Sequence, residues 1–392
     1  MVGSRLKQFS GTLPERLSKN IQHRGGNMVF QINSNKPVEI ATPTSKFKLK
    51  PNTPYYFGGW GVLKQIFDTN GIKYSMLGEL EDLIPDKVFT KRKNNNDMIF
   101  NGSKILITRS GGAGDMLFFS PFIKWLHDHG CEVRLACKEQ YREVLSGQPF
   151  MAAVYRLPIE YRIIKQQNGW ISARGVIEAF KYNVYDMLVT HLRIPLKDEE
   201  KRPVFIPLDE NEKMADQFFE KYVEKSKKVI AVQLNATANT RTWPYSIPLA
   251  SLLKSHGYKV ILLGSYNQIT TLSQMSNMNG YLFPQLVKND YAFSASIVKR
   301  CDLLVGPDSA MYHFAEAVGT KALVFFGPFK PENRIKYYKH VWTLSPEEKY
   351  CVHCQSHEGF CKRSNIFTNF SPCLEQISPQ IAFESILHIL NL

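Results

Sequence analysis

The chain has 392 residues, and its 49 lysines and arginines against 35 aspartates and glutamates give a net charge of +14. A hydrophobic content of 44% excludes a mainly disordered chain, and the length predicts two or three domains at roughly 100–200 residues each. Because no apolar run approaches about 18 residues and the N-terminal residues contain no apolar core of a secretory signal, we expect a cytoplasmic protein without a transmembrane segment.

The N-terminal region carries half of the net positive charge. Residues 1–50 hold nine lysines and arginines against two acids, a net charge of +7. We interpret residues 1–26 as a flexible basic arm, which either is simply solvated or binds a polyanion such as nucleic acid or an anionic membrane surface. Residues 27–100 consist mainly of short strand patterns separated by turn residues, which predicts a β-rich accessory unit.

From residue 101 the pattern changes to alternating strands and helices. Residues 101–225 begin with the strand KILITRS, a glycine-rich turn, a helix and the strand CEVRLAC, and we read YDMLVTH (185–191) as a later strand. After a charged hinge the alternation restarts over residues 226–392, which end in an apolar helix. The sequence therefore predicts an α/β protein with two doubly wound, Rossmann-like domains that face each other across a cleft.

The turn that follows the first strand of this array, residues 110–115, suits an anion. Gly112 and Gly114 permit close backbone approach, and a helix N-terminus offers unpaired N–H groups. The turn fits neither the dinucleotide fingerprint nor a P-loop. Asp115 at its end is either a helix cap or a group that acts on a ligand.

Two further loops follow strands of the second array. The loop after KKVIAVQLN brings Arg241 among small hydroxyl residues, a side chain suited to phosphate oxygens. The strand DLLVG ends in a turn whose Asp308 or Ser309 can cap the next helix. Ligands bind at the carboxyl ends of strands in such sheets. The residues expected to bind this anionic ligand are Gly112, Gly114, Asn235, Thr237, Arg241, Gly264, Asp308, Ser309, Ala310, Met311 and His313.

The segments KILITRSGGAGDMLFFSPF, NATANTRTWP and LLVGPDSAMYHFAEAVGTKALVFFGP resemble glycosyltransferase family 9, the ADP-heptose:lipopolysaccharide heptosyltransferases of GT-B fold. The likeness covers residues 104 to about 390. It implies that Asp115 is the base toward the acceptor hydroxyl and that Arg241 and Thr237 contact the donor diphosphate. It also matches Asp308, Ser309 and His313 to a segment of the family. In this chain Ala310 stands where that segment usually has a glycine.

The resemblance implies an inverting transferase with a nucleotide-sugar donor, an ADP-sugar by preference. No Asp-x-Asp occurs in the sequence, so we expect no catalytic metal. The acceptor stays open, because about 100 residues precede the family-like region and residues 139–200 match weakly. A lipopolysaccharide core is one acceptor, with a peripheral membrane contact left open, and hydroxymethylated DNA, as in phage enzymes, is another. A non-catalytic nucleotide-sugar or nucleic-acid binding module is the alternative from another class.

Four of the seven cysteines, Cys351, Cys354, Cys361 and Cys373, fall within 23 residues. Four thiolates at such spacing suit a structural tetrahedral zinc site, although the irregular spacing also fits clustered free thiols.

Overall fold

The computed structural model describes residues 27–42, 45–58, 60–79, 102–172, 182–192, 194–224, 227–347, 353–354 and 373–391. The predicted basic arm (1–26) and most of the cysteine-rich segment lie outside these residues. No helix of the described part is long and apolar enough to cross a membrane.

The N-terminal unit is rich in β-structure, as its alternating apolar residues and turns predict. Its elements are Asn27–Ile32 (β1), Val38–Thr42 (β2), Ser45–Leu49 (β3), Pro54–Gly58 (β4), Trp60–Thr69 (α1) and Tyr74–Glu79 (β5). Strands β2 and β3 form a hairpin, and β5, β1 and β4 form an antiparallel sheet in that order. Phe30, Tyr55, Leu63 and Phe67 lie in its buried core.

The first α/β unit contains a parallel sheet of four strands in the order β10-β6-β7-β8. Its elements are Lys104–Thr108 (β6), Ala113–Asp128 (α2), Glu132–Cys137 (β7), Ala153–Arg156 (β8), Ile159–Glu160 (β9), Tyr161–Lys165 (α3), Gly169–Ser172 (β10), Val184–Leu192 (α4) and Asp209–Tyr222 (α5). The run Ile105–Thr108 is buried on both faces, which explains its continuous apolar sequence.

The strand predicted over residues 185–191 is wrong, because these residues lie in helix α4. Tyr185, Leu188 and Leu192 are buried at helical spacing, and a short apolar run does not distinguish this pattern from a buried strand. The strand next to β6 is instead β10, which the sequence analysis did not identify.

The two faces of the first parallel sheet are covered by different units. Helix α2 packs on the face that carries Ile105 and Ile107. The opposite face, with Leu106 and Ala136, shares a buried cluster with Tyr56 of the N-terminal unit. Strand β9 also joins the N-terminal sheet beside β4. The N-terminal unit thus occupies the place of a helix layer and braces the first α/β unit.

The second α/β unit contains a five-stranded parallel sheet in the order β12-β11-β13-β14-β15. Its elements are Val229–Gln233 (β11), Ser246–Ser255 (α6), Lys259–Leu263 (β12), Tyr266–Ser273 (α7), Tyr291–Lys299 (α8), Leu303–Pro307 (β13), Ala310–Val318 (α9), Ala322–Phe325 (β14), Glu332–Ile335 (α10), Val341–Leu344 (β15) and Pro379–Asn391 (α11). The apolar side of α11 packs with α6, through residues that include Phe383 and Leu253.

The two α/β units share one continuous apolar core. Phe205 meets Phe314 edge-on with ring centroids 5.0 Å apart, and Phe118 meets His313 at 4.5 Å. Arg300, the residue directly after α8, forms ion pairs with Glu212 and Asp216 on α5. These contacts fix how the carboxyl ends of the two sheets face each other.

Candidate active site in the interdomain cleft

A cleft of about 1390 Å³ lies between the two α/β units, where the carboxyl ends of β6, β11, β12 and β13 converge. The cleft brings together every catalytic and donor-binding residue that the sequence analysis singled out. It is lined, among others, by Gly112, Gly114, Asp115, Asn235, Thr237, Arg241, Gly264, Asp308, Ser309, Ala310, Met311 and His313.

Asp115 lies in the first turn of α2 and is held from two sides. Its Oδ2 accepts hydrogen bonds of 2.8 Å from Nη2 of Arg109 and from the backbone N–H of Gly112. Asp115 is the third residue of the helix and reaches back to Gly112, which occupies the N-cap position. The carboxylate therefore closes the start of the helix, and its side chain is still 22% exposed in the cleft.

The charge of Asp115 is set by burial and by arginines. Burial by itself raises the pKa of the carboxyl, but the charge and hydrogen bond of Arg109, the charge of Arg334 and the Gly112 N–H together bring the pKa below its usual range. Asp115 is consequently ionised at neutral pH.

Gly111 leaves room for this ion pair. A Cβ atom at Gly111 would collide with the Asp115 carboxylate and lie 2.6 Å from Nε of Arg109. The absence of a side chain at this position therefore follows from the Arg109–Asp115 contact.

The N-termini of α2 and α9 meet across the cleft. A Cβ atom at Gly114 would lie 3.0 Å from Cδ2 of His313 and 3.7 Å from Cα of Ala310, so Gly114 permits this close approach. Since each helix N-terminus carries partial positive charge, the junction favours an anionic ligand.

His313 is buried, and Nδ1 of its ring lies 2.6 Å from the Tyr338 hydroxyl. Burial and the charges of Arg334 and Arg241 hold its pKa well below the ordinary value, in spite of the nearby Asp115. The imidazole is therefore neutral at neutral pH, and it packs between the two units without supplying a charge to a ligand.

Three buried polar atoms near the start of α9 have no hydrogen-bond partner within the described residues. Arg241 donates from Nη1 to the carbonyl oxygen of Asp308 at 2.8 Å. The Asp308 Oδ1 accepts from the Tyr312 hydroxyl at 3.0 Å. Nε of Arg241, Oδ2 of Asp308 and Oγ of Ser309 are buried, and within the described chain none of the three has a hydrogen-bond partner.

Two arginines of the site escaped the sequence analysis. Arg109 directly follows strand β6, inside a motif that was recognised for its glycines. Arg334 lies on α10, is only 7% exposed and lines the cleft. Its guanidinium carbon lies 4.8 Å from the Phe329 ring centroid and 5.7 Å from that of Phe118. Arg109 adjoins the glycine turn and could have been predicted from that position. Arg334 adjoins none of the recognised motifs.

The first α/β unit adds a charged loop at the other side of the cleft. Lys138, Gln140, Arg142 and Glu143 line it. Burial lowers the pKa of Lys138, with the charge of Arg109 adding to this and that of Asp115 opposing it. Glu143 accepts a 3.0 Å hydrogen bond from the backbone N–H of Tyr291, which links the units at the mouth of the cleft.

Two of the four predicted metal ligands, Cys351 and Cys361, lie outside the described residues. Cys354 is exposed and Cys373 is half-buried. The described residues contain no group of three or more His, Cys, Asp or Glu side chains placed to hold a metal. The predicted site thus stays a prediction.

Two facing parallel α/β units with an interdomain cleft at the strand carboxyl ends form the GT-B architecture of glycosyltransferases, which confirms the predicted fold class. Residues 185–363 match the model of glycosyltransferase family 9 (heptosyltransferase). This match covers a little less than half of the chain; it supports the family predicted from the motifs and identifies a glycosyltransferase. Comparison with curated protein sequences gave no match.

Solved structures share the fold at low sequence identity. A family 9 glycosyl transferase from Veillonella parvula DSM 2008 is 15% identical with a TM-score of 0.58, and the alignment covers 75% of this chain and 99% of that one. E. coli ADP-heptose lps heptosyltransferase II is 15% identical with a TM-score of 0.53, covering 74% and 98%. The dodecameric iron-containing heptosyltransferase TibC, in complex with ADP-D-beta-D-heptose, is 12% identical with a TM-score of 0.54. That alignment covers 94% of this chain and 92% of TibC, so it extends into the N-terminal unit.

Proposed function

We propose that this chain transfers a sugar from an ADP-heptose-like nucleotide diphosphate sugar to an acceptor hydroxyl, with inversion at the anomeric carbon. The observation that carries the proposal is a set of buried atoms without a hydrogen-bond partner beside the N-terminus of α9: Nε of Arg241, Oγ of Ser309 and Oδ2 of Asp308, the last 3.8 Å from Nη1 of Arg241. Buried polar groups are costly without hydrogen bonds, so such a cluster in a cleft favours a polar ligand.

The donor diphosphate is the ligand that suits this cluster best. Arg241 offers an N–H donor, Ser309 a hydroxyl, and α9 the positive end of its dipole. Asp308 fixes Arg241 through its carbonyl oxygen. The TibC structure that shares this fold holds ADP-D-beta-D-heptose, which supports an ADP-sugar as the donor here.

Asp115 is the proposed base. Both hydrogen bonds described for its carboxylate end on Oδ2, which leaves Oδ1 for the acceptor hydroxyl. Its lowered pKa makes it a weak base, so proton transfer must accompany formation of the new bond to the anomeric carbon. The acceptor oxygen then attacks as the bond to the nucleotide diphosphate breaks on the opposite face, and the proton ends on Asp115.

Departure of the nucleotide diphosphate needs positive charge. Arg241, Arg334 and the α9 N-terminus supply it from the chain itself. We therefore predict catalysis without a divalent cation. Unchanged turnover in the presence of a chelator that leaves any structural metal in place would support this prediction.

The acceptor is proposed to be anionic. Lys138 and Arg142 line the acceptor side of the cleft, and Nε of Arg142 is buried with no partner in the described part of the chain. We favour a lipopolysaccharide core as the acceptor. We propose that the transfer takes place in the cytoplasm, which is the host cytoplasm if the chain is phage-encoded. DNA with hydroxymethylated bases is the competing outcome of the test.

The cysteine-rich segment is proposed to hold one structural metal ion through Cys351, Cys354, Cys361 and Cys373. A set of four thiolates suits zinc and also iron. TibC is described as iron-containing, so metal analysis of the purified protein should measure both elements. One equivalent of either metal supports the site, and a metal-free, folded protein contradicts it.

The proposed function is tested by measuring release of nucleotide diphosphate from ADP-, GDP- and UDP-sugars with each acceptor. Faster release of ADP in the presence of a truncated lipopolysaccharide core, with a glycosylated core as product, is the expected result. Acceleration by hydroxymethylated DNA would reassign the acceptor. Tight donor binding with no release in either case would favour the binding-module alternative.

A further inference from the structure

We infer that Tyr338 is a positioning residue, whose hydroxyl holds His313 in the tautomer that carries its proton on Nε2 and presents this N–H to a ligand oxygen. This inference rests on the proposed nucleotide diphosphate sugar, whose diphosphate supplies such an oxygen. Tyr338 follows α10 and belongs to none of the motifs that the sequence analysis recognised.

The contact with His313 is the end of a chain of hydrogen bonds between three rings. The Tyr185 hydroxyl, on α4, lies 3.0 Å from the Tyr338 hydroxyl, which in turn lies 2.6 Å from Nδ1 of His313. Tyr185 is fully buried and His313 is only 3% exposed, so water has little access to the chain. Among the described residues, neither tyrosine hydroxyl has a further hydrogen-bond partner.

The number of donors and acceptors gives this chain one direction. The proton of the Tyr185 hydroxyl has one acceptor among the described residues, the Tyr338 oxygen, so the Tyr338 proton goes to Nδ1 of His313. The reverse order would leave the Tyr185 hydroxyl buried without an acceptor, which is costly. Since burial and the charges of Arg334 and Arg241 keep the imidazole neutral, its single proton then resides on Nε2.

The protonated nitrogen faces the junction of the α2 and α9 N-termini. Nε2 of His313 lies 3.2 Å from the Cβ position of Gly114, and both residues line the cleft. The described part of the chain gives Nε2 no hydrogen-bond partner. The rings of Phe118 and Tyr312, with centroids 4.5 Å and 4.0 Å from that of His313, hold the imidazole in place. The Nε2–H is thus an oriented, neutral donor beside the proposed diphosphate contact Ser309.

A fixed tautomer assists departure of the diphosphate. Negative charge grows on its oxygens as the bond to the sugar breaks, and a donor that is already oriented stabilises this charge without reorganisation. In the other tautomer Nε2 would present a lone pair and repel the same oxygens. Tyr338 therefore acts through His313 and needs no contact with the ligand.

The tautomer is measured by nitrogen NMR on the full chain with isotope-labelled histidine. The His313 signals, among those of ten histidines, are assigned by their loss in His313→Gln. In the parent, Nε2 should be protonated and Nδ1 unprotonated, and ADP should shift the Nε2–H signal. In Tyr338→Phe both nitrogens should move to the intermediate positions of mixed tautomers. The kcat for transfer should fall by about twofold to tenfold, more than the donor KM changes.

Tyr281→Phe is the matched control. Tyr281 is 7% exposed and its hydroxyl lies 3.1 Å from Oγ of Ser251, in the second unit but away from the cleft. Its replacement removes a comparable hydrogen bond, so it should keep the parental tautomer of His313 and the parental kcat.

The outcomes separate this inference from the proposed function. A parent His313 protonated on Nδ1, a tautomer unchanged in Tyr338→Phe, or an unchanged kcat despite mixed tautomers overturns the inference. If the parent transfers no sugar from any donor, the proposed function fails. The response of the Nε2–H signal to ADP then decides the inference alone: a shift supports it, and no shift overturns it.

Discussion

Arg109 controls the protonation of Asp115. Because burial raises the pKa of Asp115 while the charge and hydrogen bond of Arg109 lower it, removing the arginine should raise this pKa. We predict that Arg109→Met moves the acidic limb of the kcat/KM profile to higher pH, whereas Arg109→Lys keeps it low. The pH dependence of transfer measures this shift. Arg162→Met, which removes a surface partner of Glu160, should leave the limb in place. An unmoved limb in Arg109→Met would show that Asp115 does not control the reaction.

Arg241 is expected to hold the donor diphosphate. Its replacement by alanine should weaken ADP binding by about 1.5–3 kcal/mol, the usual worth of a hydrogen bond to a charged group. Adenosine, which lacks the phosphates, should bind as before. Calorimetric titration with both ligands measures the difference, and an equal loss for adenosine would mean that the change had disturbed the fold rather than a phosphate contact.

Single residues show how far the sequence predicted this site. Asp115, Arg241 and Ser309 follow buried strands in recognisable loops, so their convergence could be predicted from the rule that ligands bind at strand ends. Arg334 could not, because its position in the cleft depends on packing between Phe118 and Phe329, which belong to different units.

At the level of elements, two helix starts in the second unit differ in purpose. The Asp290 side chain accepts from the Phe293 N–H and caps α8, whereas the Ser309 side chain makes no cap hydrogen bond at the start of α9. We predict that Asp290→Ala lowers the free energy of unfolding by about 0.5–2 kcal/mol. Ser309→Ala should leave stability within about 0.5 kcal/mol and raise the donor KM.

Thermal or denaturant unfolding and donor kinetics on both variants check this pair. A large loss of stability in Ser309→Ala would indicate that its hydroxyl stabilises the helix and does not bind a ligand.

The wrongly predicted strand over residues 185–191 is also explained by element length. Turn chemistry and periodicity predicted the type of the long elements, but helix α4 is short and apolar on its buried side. Tertiary contacts with Tyr338, through the Tyr185 hydroxyl, belong to its helical form.

Across the whole molecule, the N-terminal unit replaces a helix layer of the first α/β unit. Tyr56 is fully buried there, and its ring meets Trp170 edge-on at 5.8 Å. We predict that Tyr56→Ala lowers the free energy of unfolding by about 3–5 kcal/mol, as large core truncations do. Tyr222→Ala, at a 40% exposed tyrosine, should cost far less.

Denaturant unfolding of the two tyrosine variants measures this contrast. A small loss for Tyr56→Ala would mean that the N-terminal unit is an appendage and does not brace the first sheet. The sequence predicted the β-rich character of residues 27–79 but not this role, since nothing in a local pattern shows which sheet face a separate unit will cover.

The central claim, that Asp115 performs transfer in a cleft that binds the donor independently, is tested most directly by Asp115→Asn. Single-turnover formation of ADP and glycosylated acceptor should fall by about 10²–10⁴-fold, the typical contribution of a general base. The Kd for ADP should stay within about threefold of the parent value, since Arg241 and Ser309, the proposed diphosphate contacts, lie on the second unit. Transfer at the parental rate would contradict the account.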